Sequence, residues 1–69
     1  MEIEGKELIL DQHYLDKVTY IPNHVDIGNA GHPDCEQGVI ISWNEDNVKV
    51  LFCKGRTVQS TNPEDLVWG

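Results

Sequence analysis

Residues 38–53 read GVIISWNEDNVKVLFC, and this stretch decides the fold. Two β-rich runs, 39–43 and 48–52, flank the polar tetrad Asn44-Glu45-Asp46-Asn47, which is the chemistry of a β-hairpin. With the tetrad as the loop, Trp43 faces Val48, Ile41 faces Val50 and Val39 faces Phe52. All six side chains share one side of the ribbon, because side chains alternate along a strand. A one-residue slip would bury Ser42 and Lys49 instead. The other side carries Ile40 against Leu51, Ser42 against Lys49 and Gly38 against Cys53. Its mixed character leaves two readings open: covered as the strands curl, which is preferred, or left as a contact surface that would favour a homodimer.

Upstream, residues 17–21 (KVTYI) form another β-run, and Pro22 either ends it or marks a sheet edge. The segment PNHVDIGNAGHPDCEQ, residues 22–37, then makes a loop of sixteen residues, a length often tied to function. Downstream, Lys54-Gly55 reads as a tight turn and residues 56–60 as a fourth strand. Asn62-Pro63-Glu64-Asp65 has an N-cap, a proline at the first helical position and acids in the first turn, so one helical turn is expected. Leu66-Val67-Trp68 closes the set as a fifth strand. Residues 7–10 either pair as a strand or begin a short helix running to Tyr14.

This order, with a long loop after the first strand and a 3₁₀ turn before the last, is the layout of an SH3-like five-stranded barrel. It makes the chain all-β, with residues 17–69 as the barrel and residues 1–16 packing on it or extending it. Closing the sheet would also remove its exposed edges. The expected core is Val18, Tyr20, Val39, Ile41, Trp43, Val48, Val50, Phe52, Val58 and Leu66.

The chain has 69 residues, enough for one small domain, and carries a net charge of −7 with 39% hydrophobic residues. Length argues against a large-pocket enzyme, and charge against a generally basic nucleic-acid binder. No apolar run approaches the ~20 residues that span a bilayer. The acidic start MEIEGKELIL has no signal-peptide character, so a cytoplasmic location is expected. Two cysteines do not make the dense disulfide framework of a small secreted domain.

The runs VTYIPNH, HPDCEQGVI, SWNEDNVKVLF and NPEDL resemble those of a group of short proteins encoded by tailed phages and prophages. HPDCE followed two residues on by Gly-Val is the most specific piece, and Cys53 departs from the basic or small residue of that pattern. The resemblance implies a phage or mobile-element setting in a bacterial cytoplasm. It brings no catalytic or binding residues to transfer.

Among ligand-type side chains, His24, His32, Cys35 and Cys53 could in chemistry hold zinc. Their spacing lacks the paired knuckles of zinc motifs, so no metal or other cofactor is expected. A Cys35–His32 nucleophile would need a third orienting group and an oxyanion hole, and no enzymatic role is expected. His24, His32, Asp34 and Cys35 of the long loop are instead the candidate contact residues for a protein partner. The alternative is a nucleic-acid-associated barrel using Lys49, Lys54 and Arg56 with Tyr20 or Trp68 as a stacking platform. Acids and bases are unevenly spread: residues 1–50 hold ten acids and three bases, residues 51–69 two of each. The acidic surface either steers the chain to a basic partner or only keeps it soluble. The expectation is thus a small non-enzymatic interaction module, monomeric or weakly dimeric, with no membrane partner.

Overall fold

The computed structural model describes residues 1–69, the side chain of Leu10 aside. Strands β1 (Glu2–Ile3) and β2 (Lys6–Glu7) form a small hairpin, followed by one helical turn α1 (Leu10–His13). Strands β3 (Lys17–Tyr20), β4 (Glu36–Trp43), β5 (Val48–Phe52) and β6 (Val58–Thr61) come next. A 3₁₀ turn (Pro63–Asp65) leads into β7 (Leu66–Trp68). The five longer strands make one antiparallel sheet in the order β6-β5-β4-β3-β7. The sheet is open, with β6 and β7 as its edges.

The central hairpin forms where its turn chemistry predicts. Asn44 Oδ1 accepts the N–H groups of Asp46 and Asn47, each at 2.8 Å, and Asn44 N–H donates to the Asn47 carbonyl at 3.0 Å. This is an Asx-type turn, in which a short polar side chain holds the backbone reversal. Trp43 faces Val48 and Ser42 faces Lys49, as expected.

Beyond those two pairs the register changes. A bulge between Ile40 and Ser42 makes Ile41 an extra residue, so Ile40 faces Val50, Val39 faces Leu51 and Gly38 faces Phe52. One inserted residue reverses the facing of everything beyond it. Ile40 is therefore fully buried, whereas Val39 and Ile41 are half-exposed and leave the expected core. The bulge also lets Trp43, three positions from Ile40, pack on the same core. Gly38 fits this register: a Cβ there would stand 2.5 Å from Val50 Cγ1 and 2.8 Å from the Leu51 carbonyl oxygen. Only a residue without a side chain permits that approach.

Val58 also leaves the expected core, with 52% of its surface exposed. It lies opposite Leu51 on the edge strand. Leu51 alternates with the buried Val50 and Phe52, so both it and Val58 face outward. The fourth strand begins at Val58 rather than Arg56, because Arg56 takes a left-handed φ of 52° while its N–H donates to the Phe52 carbonyl at 2.9 Å. Arg56 thus belongs to the turn.

The main core comprises Ile3, Leu8, Val18, Ile40, Val48, Val50, Phe52 and Leu66, with Met1, Tyr20, Trp43 and Trp68 packed against it. Two of these anchors, Ile3 and Leu8, come from the first sixteen residues. Trp68 ties that segment down: its Nε1–H donates to the Ile3 carbonyl at 2.9 Å and its backbone N–H to Glu4 Oε1 at 2.7 Å. Lys6 Nζ lies 5.1 Å from the centre of the Trp68 ring, and the buried His13 ring packs 5.2 Å from it. The 3₁₀ turn is capped as its sequence predicts, Asn62 Oδ1 accepting the Glu64 N–H at 3.0 Å.

Candidate functional site

The long connection occupies residues 21–35, between β3 and β4. It is built from four linked turns. Val25 N–H donates to Pro22 O, Asn29 to Asp26 O, His32 to Asn29 O and Cys35 to His32 O, at 2.8–3.1 Å. The residue types explain this: Asp26 and Asn29 open turns, and Pro33 sits where its fixed φ suits the second position of a turn. Beneath the turns lies a second small core of Ile21, Val25 and Val67, with Cys35 packed against it. The loop therefore holds its shape while most of its surface stays exposed.

The structure brings three of the four candidate contact residues into one polar cluster. His24 Nε2–H donates to Asp34 Oδ2 at 2.7 Å. His32 Nδ1 accepts the Asp34 backbone N–H at 3.0 Å, and the two imidazole rings meet edge to face with centres 6.1 Å apart. The hydrogen bond from His24, aided by the nearby His32, holds the Asp34 carboxyl below its ordinary 3.8. Cys35, the fourth, turns away, its thiol directed at the Asn29 carbonyl at 3.6 Å. Its hydrogen bond thus goes to a backbone carbonyl and not to His32.

Cys53 is exposed at the end of β5, where its N–H donates to the Gln37 carbonyl. It shares a surface hollow of about 380 Å³ with Cys35, Glu36, Gln37 and Lys54. Both cysteines are free thiols. Among the described residues no group of three or more His, Cys, Asp or Glu side chains is placed to hold a metal ion.

The basic residues do not converge. Lys49 points outward near the start of β5, whereas Lys54 and Arg56 lie in the turn beyond its far end. Trp68, one proposed stacking platform, already has its ring in contact with Lys6 and His13. Tyr20, the other, stands edge-on to Phe52 at 6.3 Å and lines a hollow with Glu36 and Asp65, an acidic setting for a phosphate.

Residues that sequence reasoning passed over are Ile27, Glu45 and Glu64. They line a broad groove together with the β1–β2 hairpin. Ile27 is exposed over 53% of its surface, a large aliphatic side chain held out by an otherwise ordered loop. Its position between Asp26 and Gly28 in a polar run was the available signal. No known family model, curated protein or solved structure matches the chain. Among the described residues no helix is long and apolar enough to cross a membrane.

Proposed function

We propose that the chain is a small non-enzymatic interaction module of phage or prophage type that offers the 21–35 loop to a protein partner. The observation that carries this reading is the loop itself, ordered by four linked turns and its own apolar cluster yet left uncovered. Such preorganisation lowers the entropy cost of binding, because the contact surface exists before the partner arrives. The His24–Asp34–His32 cluster presents two imidazole edges and a carboxylate on that surface. The phage setting rests on the HPDCEQGV run of residues 32–39. An SH3-like plan is supported by the strand order, the long loop after β3 and the 3₁₀ turn before β7. In that plan a curled sheet brings its two edges toward each other and leaves the loops at the rim.

The test is affinity capture from bacterial host lysate, comparing wild type with His32→Ala and Arg56→Glu. A partner bound directly through the loop is retained by wild type and Arg56→Glu and lost with His32→Ala. Retention by neither wild type nor Arg56→Glu, or equal retention by all three, overturns the reading.

A further inference from the structure

Next to the loop lies an open groove of about 730 Å³ bounded by the β1–β2 hairpin, Ile27, the tip of the central hairpin and the 3₁₀ turn. Its apolar lining comes from Met1, Ile27, Pro63, Leu66 and Val67. Leu66 and Val67 lie at its base with their side chains buried in the two cores, so the accessible apolar surface is that of Ile27, 53% exposed, and the half-buried Pro63. Five of the six glutamates of the chain line this groove, drawn from three separate stretches of sequence, and no lysine or arginine does. Two of the five are engaged: Glu4 accepts the Trp68 N–H, and Glu7 lies 3.5 Å from the terminal amine of Met1. Among the described residues Glu2, Glu45 and Glu64 have no cationic partner.

From the exposed apolar edge of Ile27 and Pro63 and the uncompensated acidic rim we infer that this groove takes a partner segment in which an apolar side chain is flanked by lysines or arginines. The inference rests on the reading of the chain as a protein-binding module and names the chemistry of its partner. The apolar side chain packs against the exposed Ile27 and Pro63, which supplies non-directional burial. The flanking cations meet Glu2, Glu45 and Glu64, which adds steering and orientation. Nucleic acid is repelled by the same rim, since its phosphates carry the charge of the glutamates. A second copy of this chain, itself at −7, meets the same repulsion.

The test is selection of random peptides displayed against immobilised wild-type protein, followed by affinity measurement on the winning peptides as synthesised. The expected winners carry at least two lysines or arginines around an apolar residue and bind more weakly as salt is raised. Their affinity should fall roughly tenfold in the Glu45→Lys/Glu64→Lys double variant and in Ile27→Asp. It should stay within about twofold of wild type in Glu36→Lys, a charge reversal outside the groove. Circular dichroism on each variant checks that it is folded. Neutral or acidic winners, or basic winners indifferent to the Glu45/Glu64 reversal, overturn the groove assignment. Winners lost with His32→Ala but kept by the groove variants overturn it while leaving the loop reading standing. No enrichment at all overturns both.

Discussion

Replacing Ile40 and Ile41 one at a time separates the bulged register from the unbroken one. Ile40 is wholly buried against Val50, whereas Ile41 is the extra residue and lies half-exposed on the outer side. Ile40→Ala removes three carbons from the core, worth about 2.4 kcal/mol in transfer at ~0.8 kcal/mol each. The cavity left behind brings the loss to roughly 3 kcal/mol, within the usual 2–5 for such truncations. A domain of this length holds only about 3–10 kcal/mol in total, so Ile40→Ala should unfold at markedly lower temperature, by some 12–24 °C at ~4–8 °C per kcal/mol. Ile41→Ala should cost under about 1 kcal/mol, because its side chain keeps much of its contact with water in either state. The milder pair Ile40→Val and Ile41→Val keeps the comparison usable if the alanine variant does not fold, with about 0.5–1.5 kcal/mol expected for the first and nearly none for the second. Thermal melts followed by circular dichroism, with urea midpoints alongside, give both numbers. Equal losses, or a larger loss at Ile41, would refute the bulge and restore the uninterrupted pairing of Ile41 with Val50.

Gly38→Ala should destabilise by about 1–3 kcal/mol, since the added Cβ meets Val50 Cγ1 at 2.5 Å and strand backbone at 2.8 Å; a melting temperature unchanged from wild type would show that β4 and β5 can part without cost. The Asp34 carboxyl should titrate below 3.8 by NMR and return toward that value in His24→Ala, because the imidazole N–H favours the charged form. A carboxyl lowered on folding adds stability that is present above its unfolded pKa and lost as pH falls through its folded one, so the loop should loosen only below about pH 3.8. Cys53 should react with iodoacetamide faster than Cys35, which is half-buried on the second core; mass mapping of early adducts found first on Cys35 would contradict the packing.

How much was legible in the sequence depended on how local the cause was. Asn44 and Asn62 each bond to backbone two or three residues away, so the hairpin turn and the capped 3₁₀ turn could be read from neighbouring letters. The bulge at Ile41 could not, because it reconciles Trp43 and Ile40 with a partner strand, and either isoleucine alone looks equally fit for the core. Ile3 and Leu8 escaped notice for a different reason: Ile3 is fixed by a bond to Trp68 from 65 positions away. Within the site, the turn-forming residues of the loop were readable, and the pairing of His24 with Asp34 followed from how those turns fold it back. The acidic balance was plain from composition, but its concentration around Ile27 was not, since Glu2, Glu45 and Glu64 meet only after both hairpins are in place.

The clasp at Trp68 has a kinetic side. Its partners Ile3 and Glu4 lie 65 and 64 positions away, so this contact closes nearly the largest loop the chain can make. Such closures come late and slow folding, because their entropy must be spent before any contact returns it. The central hairpin can form early from local pairing, whereas docking of the β1–β2 hairpin must wait for β7. Trp68 and Trp43 are the only two tryptophans, one at the clasp and one on the central hairpin. The molecule thus carries an optical label at each stage: emission from Trp43 follows assembly of the sheet, and emission from Trp68, beside Lys6 and His13, marks the docking of the β1–β2 hairpin on β7.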